Sequence, residues 1–305
     1  MTESHLTESI TEPITESSSQ SVTFTDEQKA QSHEHHRKHE KKQTVLVTGA
    51  SKGIGKAFCE IFAKNGYDLI LVSRDKDLLS DLAIELKRSY GCSVTVIPRD
   101  LSTPLAAQAL FETLKRNHKH VDILVNNAGF GGMGEHIDRE SDDELGMIQL
   151  NITALTMLSK LIGKDMAKHG SGKILNVASV AGFIPGPYSA VYFASKAYVV
   201  SYSTALAYEM KKHKVTVSVL CPGSTDTPFF ERAFGGKELP KAFKHGMMSA
   251  SAVATIGYKG LMKGTLIIVP GFMNKIMVCL SRFIPRKLVC SIMERMQTSR
   301  TKVEK

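Results

Sequence analysis

The sequence is poor in cysteine, and its cysteines lack the spacing of a metal site or a redox motif. Its 305 residues contain five, with no CxxC pair and no His/Cys ligand pattern: Cys59, Cys92, Cys221, Cys279 and Cys290. This argues against a zinc-binding or disulfide-framework protein. An odd number of irregularly spaced thiols is typical of reduced core residues, which predicts a cytoplasmic rather than a secreted protein.

Two segments lack the features of a targeting signal or a membrane anchor. The N-terminal region has no apolar core of the signal-peptide kind, and its glutamates argue against a mitochondrial transit peptide. The apolar stretch TLIIVPGFMNKIMVCLSRFI is interrupted by Pro270, Gly271, Lys275 and Arg282. It is therefore not predicted to cross a bilayer.

Apolar residues are also scarce in residues 1–43, where Thr-Glu-Ser recurs. Such a segment buries too little surface to offset its ordering entropy, so we predict a disordered polar tail. The run HEHHRKHE at 33–40 has side chains that can bind a metal weakly, although a solvated polar linker is the favoured interpretation.

Positive charge is concentrated near the C-terminus. The net charge is +9, and residues 275–305 hold eight Lys and Arg against Glu294 and Glu304. Apolar residues recur there at near-helical spacing: Phe272, Ile276, Leu280, Phe283, Leu288, Ile292 and Met296. The pattern predicts a basic amphipathic helical extension over 272–305, which would cap the core or an oligomer interface, or contact a membrane surface or an apolar substrate. No nucleic-acid-binding module accompanies the charge, so nucleic acid is not an expected partner.

From Thr44 onward, short apolar β-branched runs alternate with helical stretches. The predicted strands are TVLVT (44–48), DLILVS (68–73), SVTVI (93–97), VDILV (121–125), KILNVAS (173–179), VTVSVL (215–220) and TLIIV (265–269). Continuously apolar strands are expected where helices cover both faces of a parallel sheet. The sequence therefore predicts one doubly wound, Rossmann-like α/β domain over 44–271, with a ligand crevice at the carboxyl ends of its seven strands.

A glycine-rich turn, TGASKGIG at 48–55, separates the first strand from the first helix. Gly49 permits a tight turn, Gly53 lets the backbone approach a phosphate, and Gly55 allows close helix–strand packing. The helix N-terminus then offers N–H groups to a pyrophosphate. Taken alone, the glycine spacing favours cofactor binding, although turn geometry also explains it.

The end of the second strand distinguishes between cofactors. NAD-binding Rossmann proteins usually place Asp or Glu there to hold the ribose 2′-hydroxyl. Here the strand ends in Ser73 and Arg74, and Lys52 lies within the glycine turn. Two cations favour a 2′-phosphate and hence NADP(H), although Asp75 follows immediately.

Polar residues follow the later strands and open the helix after them. Tyr192 and Lys196 in YFASK share a helix face, so the ammonium is expected near the phenol. A nearby cation favours the phenolate and lowers a tyrosine pKa toward the working range of an acid–base catalyst. Ser179, at a strand end, is placed to hydrogen-bond the same substrate carbonyl, and Asn151 lies on the helix between two strands.

With these motifs in place, the chain resembles the short-chain dehydrogenase/reductase superfamily over about residues 44–270. The matching elements are TGxxxGxG at 48–55, Asp100, NNAG at 126–129, Asn151, Ser179, YxxxK at 192–196 and PGSTDTP at 222–228. The resemblance implies that Tyr192 is the general acid/base, that Lys196 lowers its pKa and holds the nicotinamide ribose, that Ser179 orients the substrate, and that Asn151 positions a relay water.

The resemblance also implies a set of cofactor-binding residues and a homodimer or homotetramer. Asp100 would meet the adenine, Asn127 the adjoining ribose region, and Thr227 the carboxamide. The full set is Gly49, Ser51, Lys52, Gly53, Ile54, Gly55, Arg74, Asp100, Asn127, Gly129, Tyr192, Lys196, Pro222, Gly223 and Thr227. No metal is expected.

A second YxxxK, YEMKK at 208–212, provides an internal comparison. Ser195 precedes Tyr208 by the same thirteen residues that separate Ser179 from Tyr192. Ser195 lies within a predicted helix, however, and Tyr208 falls in the last turns before a strand. We therefore predict that Tyr208 has a structural position only.

The predicted substrate loops are apolar, and 224–250 resembles the mobile lid of the family. They contribute Phe130, Met133, Phe183, Ile184, Pro187, Tyr188, Phe229, Phe230 and Phe234. Such walls favour a hydrophobic, lipid-like or acyl ketone, or the matching secondary alcohol. A broad-specificity carbonyl reductase is the alternative, and a non-catalytic nucleotide-gated binding or membrane-tethering protein is the alternative of another class.

Overall fold

A computed structural model of the chain describes residues 42–233 and 246–302, with side chains described as far as 298. Almost all of the predicted tail and the middle of the predicted lid lie outside these ranges. The helices are α1 Gly53–Lys64, α2 Lys76–Tyr90, α3 Ala106–Arg116, α4 Ser141–Ile148, α5 Leu155–His169, α6 Ala190–Lys211, α7 Phe229–Ala233, α8 Ala250–Met262, α9 Phe272–Leu280 and α10 Arg286–Lys302.

Seven parallel strands form the main sheet, in the order β3-β2-β1-β4-β5-β6-β9. They are β1 Thr44–Thr48, β2 Asp68–Ser73, β3 Val94–Pro98, β4 Ile123–Asn126, β5 Gly172–Val177, β6 Val215–Leu220 and β9 Ile267–Ile268, while β7 Thr225–Asp226 and β8 Met248–Ser249 form a separate pair. The predicted seven-stranded, Rossmann-like sheet is confirmed, although its last strand is shorter than predicted. The strand order reverses between β1 and β4, which opens a crevice at their carboxyl ends.

Adjacent residues of β1 face opposite cores, which explains the unbroken apolar runs. Val45 and Val47 pack with Phe58 and Phe62 of α1 on one face of the sheet. Leu46 instead packs on the other face, in a core that includes α3 and α5. Because side chains alternate along a strand, a sheet covered on both faces needs apolar residues at every position.

The helical stretch Ser141–His169 is long and apolar enough to cross a membrane by composition. In the fold it is a core helix, since its Leu158, Ile162 and Met166 are fully buried against the sheet. Its middle, Gln149–Ala154, forms a π-helical turn. Such turns occur frequently at functional sites.

The cysteine prediction is only partly correct. All five thiols are free, as predicted, and Cys59, Cys92 and Cys221 are buried in the core. Cys279 is exposed and Cys290 is half-buried. These two lie on α9 and α10, which pack only one side against the body and leave the other in solvent.

Candidate active site

The glycine turn has the backbone that its sequence predicts. Gly49 and Gly53 have φ values of +66° and +55°, in the left-handed region that favours glycine. A methyl group at Gly55 would collide with the carbonyl oxygen of Gly49. Asn127 supports the turn, since its Nδ2 donates to the carbonyl oxygen of Thr48 at 3.0 Å.

The N-terminus of α1 fits a pyrophosphate. Lys52, the N-cap residue, is extended and makes no capping hydrogen bond from its side chain. Gly53 and Ile54 of the first turn line the large central cavity, with Ser51 and Lys52 beside them. An uncapped helix N-terminus presents backbone N–H groups and a positive dipole end, which together bind phosphate well.

A basic group lies where the ribose 2′-position is expected. Arg74 Nη1 lies 3.9 Å from Asp100 Oδ2, and its side chain stays 59% exposed. Burial opposes ionisation of Asp100, but hydrogen bonds from Ser102 and the charge of Arg74 hold its pKa below the usual range. Asp75 instead caps α2, accepting a hydrogen bond from the Leu78 amide at 3.1 Å. Asp75, the one acid near the end of β2 that favoured NAD(H), is therefore engaged in a helix cap.

Two further arginines of this region were missed from the sequence. Arg99 and Arg232 both line the cavity. Arg99 Nε is buried without a hydrogen-bond partner among the described residues. Arg232 lies 3.6 Å from the Phe130 ring centroid, and its pKa is lowered by burial and then by Arg74. Arg99 directly precedes Asp100 after β3, so its position in the sequence could have indicated a place in the cavity. Arg232 is far away in sequence, and only the fold brings it into the cavity lining.

The predicted acid–base pair is brought together on α6. Lys196 Nζ lies 5.8 Å from the Tyr192 ring centroid and donates to the carbonyl oxygen of Val177 at 3.0 Å. Ser179, just beyond β5, donates to the carbonyl oxygen of Pro222 at 3.3 Å and accepts a hydrogen bond from the Ala181 amide. All three of the predicted residues line the same cavity.

The expected lowering of the Tyr192 pKa by Lys196 does not appear in this geometry. Burial raises the pKa of Tyr192 to about 12, and only a hydrogen bond with Ser179 acts against it. Burial likewise lowers the pKa of Lys196 to about 8. Desolvation dominates because Lys196 is buried and Tyr192 is half-buried, and the ammonium hydrogen-bonds a backbone carbonyl instead of the phenol oxygen.

Asn151 supports the site from behind and does not line the cavity. It lies in the π-helical turn, where its Nδ2 donates to the Phe130 carbonyl at 2.9 Å and to Ser195 Oγ at 3.1 Å, and its Oδ1 accepts from the Phe130 amide at 3.1 Å. Ser195 in turn donates to the Tyr192 carbonyl at 2.7 Å. Ser195 thus links Asn151 to the backbone of Tyr192, a contact not predicted from the sequence, although the serine lies within the YxxSK motif itself.

The cavity has a volume of about 510 Å³ and gathers nearly all of the predicted cofactor residues. Those that line it are Gly49, Ser51, Lys52, Gly53, Ile54, Arg74, Asp100, Asn127, Gly129, Tyr192, Lys196, Pro222, Gly223 and Thr227. Gly55 is the exception, since it lies behind the turn and serves helix packing. Tyr208 is 74% exposed and does not line the cavity, in keeping with its predicted structural position.

Part of the cavity wall is apolar. Of the predicted wall residues, Phe130, Met133, Ile184, Phe229 and Phe230 line it. Phe183, Pro187 and Tyr188 do not, and Phe234 lies outside the described residues. The C-terminal helices add side chains that were not predicted for this wall: Met277, Met293, Met296 and Gln297.

The family model described as short chain dehydrogenase matches residues 43–237. The chain belongs to this family. It is 34% identical over 191 residues to oxidoreductase UcpA of Salmonella typhimurium, covering 62% of this chain and 72% of that protein. It is also 34% identical over 189 residues to human 17-beta-hydroxysteroid dehydrogenase type 3, covering 61% of this chain and 60% of that protein.

Among solved structures, the fold is similar to a short-chain dehydrogenase from Sphingobium yanoikuyae in complex with NADPH. The TM-score is 0.69 at 31% sequence identity, over 80% of this chain and 97% of the other. The chain is accordingly an oxidoreductase of the short-chain type, acting between alcohols and ketones with a nicotinamide dinucleotide. The glycine turn and the uncapped helix N-terminus fit that cofactor.

Proposed function

We propose that the protein is an NADP(H)-dependent reductase of hydrophobic ketones. The observation that carries this proposal is that Tyr192 and Ser179 line a single cavity together with basic residues of the cofactor region and a set of apolar side chains. A carbonyl bound against both hydroxyls would have its alkyl groups among Phe229, Phe230 and the methionines of the C-terminal helices. The reverse reaction would oxidise the matching secondary alcohol.

The protein's own groups would hold and move the proton. The nicotinamide, when bound, supplies the hydride. Tyr192, whose pKa is raised to about 12, stays protonated at neutral pH and can donate its proton to the developing alkoxide. Ser179 would hydrogen-bond the same oxygen, while Lys196 would hold the ribose and return a proton to the phenol. Asn151 and Ser195 would keep α6 and the loop after β4 in position.

NADP(H) is proposed over NAD(H) because of charge at the end of β2. Lys52, Arg74 and Arg99 line the cavity, and Asp75 is engaged in capping α2. Guanidinium groups bind phosphate through paired charge-assisted hydrogen bonds. The NADPH complex of the Sphingobium protein supports the same choice.

The substrate is proposed to be apolar, with a lipid-like, acyl or steroid-like ketone as the leading class. The similarity to a 17-beta-hydroxysteroid dehydrogenase and the aromatic and methionine wall support this class. A broad-specificity carbonyl reductase is the second candidate. Comparing kcat/KM for ketones of increasing chain length distinguishes them, since a substrate that contacts the apolar wall gains binding energy with each buried methylene.

The decisive experiment is an NADPH-oxidation screen across classes of carbonyl compound. Tyr192→Phe removes the proton donor and is expected to lower kcat by about 100-fold or more. Tyr208→Phe is the matched control, because it makes the same change in the second YxxxK on an exposed side chain. Nucleotide binding without turnover of any carbonyl would favour the non-catalytic binding or tethering protein.

We further propose a cytoplasmic homodimer or homotetramer assembled through the helices around 142–165 and 189–211. Leu145 is 61% exposed there, and Ile148 and Tyr198 are also solvent-exposed. Apolar side chains in solvent on adjoining helices are typical of an interface. Sedimentation velocity of the full chain tests this, and a single monomeric species across concentrations would contradict it.

A further inference from the structure

The C-terminal helices carry an exposed apolar surface that the body of the protein does not cover. Nine of the seventeen large apolar side chains exposed among the described residues lie between 272 and 296. They are Phe272, Met273, Met277, Leu280, Phe283, Ile284, Leu288, Ile292 and Met296. Phe272 and Phe283 are 76% and 78% exposed, more than most apolar side chains of a soluble surface.

Basic side chains lie among these apolar residues. Lys275, Arg282, Arg286 and Lys287 are all exposed, and none makes an ion pair with an acid in the part of the chain that the structure describes. Glu294 is the only acidic side chain from 272 to 298. The surface therefore combines apolar area with a net positive charge, the combination that interfacial helices present to anionic lipid.

This surface is continuous with the apolar wall of the cavity. Met277 and Met296 are exposed and also line the cavity, and the half-buried Met293 lines it too. These methionines therefore border the mouth through which the cavity opens toward α9 and α10. An apolar molecule that entered here would meet the aromatic wall before it reached Tyr192.

We propose that the 272–296 surface docks on an anionic lipid membrane, and that apolar ketones enter the cavity from the bilayer past Met277 and Met296. The part about ketones rests on the proposed function; the docking does not. A second copy of the chain is the other possible occupant. A two-fold interface would place the positive charge of this surface against itself, because the same patch faces its own copy. Charge complementarity therefore favours an anionic lipid surface.

Co-sedimentation of the full chain with vesicles tests the docking directly. Vesicles of phosphatidylcholine with phosphatidylglycerol are compared with phosphatidylcholine alone, at low and high salt. Wild type is expected to bind the anionic vesicles and to lose binding as salt rises. R282Q/R286Q/K287Q is expected to weaken binding by about 100-fold, since each cation near an anionic surface contributes about fivefold. F272S/F283S is expected to weaken it by about tenfold or more.

Two matched variants control for charge and for exposed apolar area elsewhere. K211Q/K212Q/K214Q removes three exposed cations at the end of α6, and I137S removes an apolar side chain that is 84% exposed. Both are expected to bind like wild type. Equal losses in these controls, or undiminished binding by F272S/F283S, would overturn the proposal. So would a change of oligomeric state in F272S/F283S without lipid, because the surface would then be an interface between copies.

Turnover measurements distinguish delivery of the substrate from the membrane from the reduction step itself. F272S/F283S is expected to lower kcat/KM for a ketone dissolved in anionic vesicles and to leave kcat/KM for a water-soluble ketone unchanged. Loss on both substrates would contradict entry from the bilayer. If wild type reduces no ketone at all, the proposed function fails while the vesicle-binding result still stands.

Discussion

Arg74 allows the cofactor assignment to be tested by one substitution. Arg74→Ala removes the guanidinium at the end of β2 and is expected to raise the KM for NADPH while leaving that for NADH unchanged. A hydrogen bond to a charged group contributes about 1.5–3 kcal/mol. Arg74 is 59% exposed and lies 3.9 Å from Asp100, so solvent and the carboxylate both weaken its field at a phosphate. We therefore expect the low end, about tenfold in KM.

Steady-state kinetics with both cofactors, at two ionic strengths, measures this effect. The control is Arg88→Ala, which removes a cation from the exposed last turn of α2. Wild type is expected to lose NADPH affinity as salt rises, and Arg74→Ala to lose less, because one screened contact is already gone. An unchanged KM for NADPH in Arg74→Ala, or equal changes for NADPH and NADH, would refute the two-cation argument.

Three further predictions concern other parts of the site. Burial lowers the pKa of Lys196 to about 8 while the pKa of Tyr192 is about 12, so kcat/KM for reduction is expected to fall as pH rises through about 8; a profile flat through that pH would contradict a role for the ammonium. Gly129→Ala places a methyl group 2.9 Å from Asn151 Oδ1 and 3.4 Å from Lys196 Nζ, so Asn151 must shift, and kcat is expected to fall by about tenfold or more in steady-state assays; Gly146→Ala, 3.7 Å from a Phe130 ring atom, serves as a tolerated control. Asp75→Ala removes a helix cap and is expected to cost about 1 kcal/mol in thermal unfolding with unchanged NADPH affinity; a loss of affinity would show that Asp75 contacts the cofactor.

The strands were predictable because their pattern is local. Each run of apolar β-branched residues is buried on two faces, so its composition alone distinguishes it from the amphipathic helices between strands. The last strand is shorter than predicted: of TLIIV, only Ile267 and Ile268 form a strand beside β6, although the Leu266 carbonyl also accepts a hydrogen bond from the Val219 amide. β9 lies at the edge of the sheet, so it has backbone partners on one side only.

Most of the candidate site was predictable for a related reason. In a parallel sheet the carboxyl ends of the strands lie at one edge. Residues that directly follow different strands therefore come together at that edge, whatever the course of the loops between them. Ser179, Asn127 and the glycine turn follow this rule. Tyr192 and Lys196 instead lie four residues apart on one helix, a spacing that places them on the same face.

The protonation behaviour of the pair, in contrast, depends on burial. From the sequence, a cation one helical turn away predicts a lowered tyrosine pKa. In the fold both Tyr192 and Lys196 are desolvated, and the ammonium donates to Val177, so the phenol pKa rises instead. Desolvation is set by everything packed around a group, which no local spacing reveals.

The amino-acid sequence by itself determined the order of strands and helices, the glycine turn and the YxxxK pair, because each depends on residues close together along the chain. Only the tertiary structure decided that Arg232 joins the cavity lining, that Ser195 and Asn151 support Tyr192, and that Met277 and Met296 border the cavity. These contacts join residues far apart in the chain. Their formation depends on how helices pack across the sheet, a property of the assembled layers and not of any one segment.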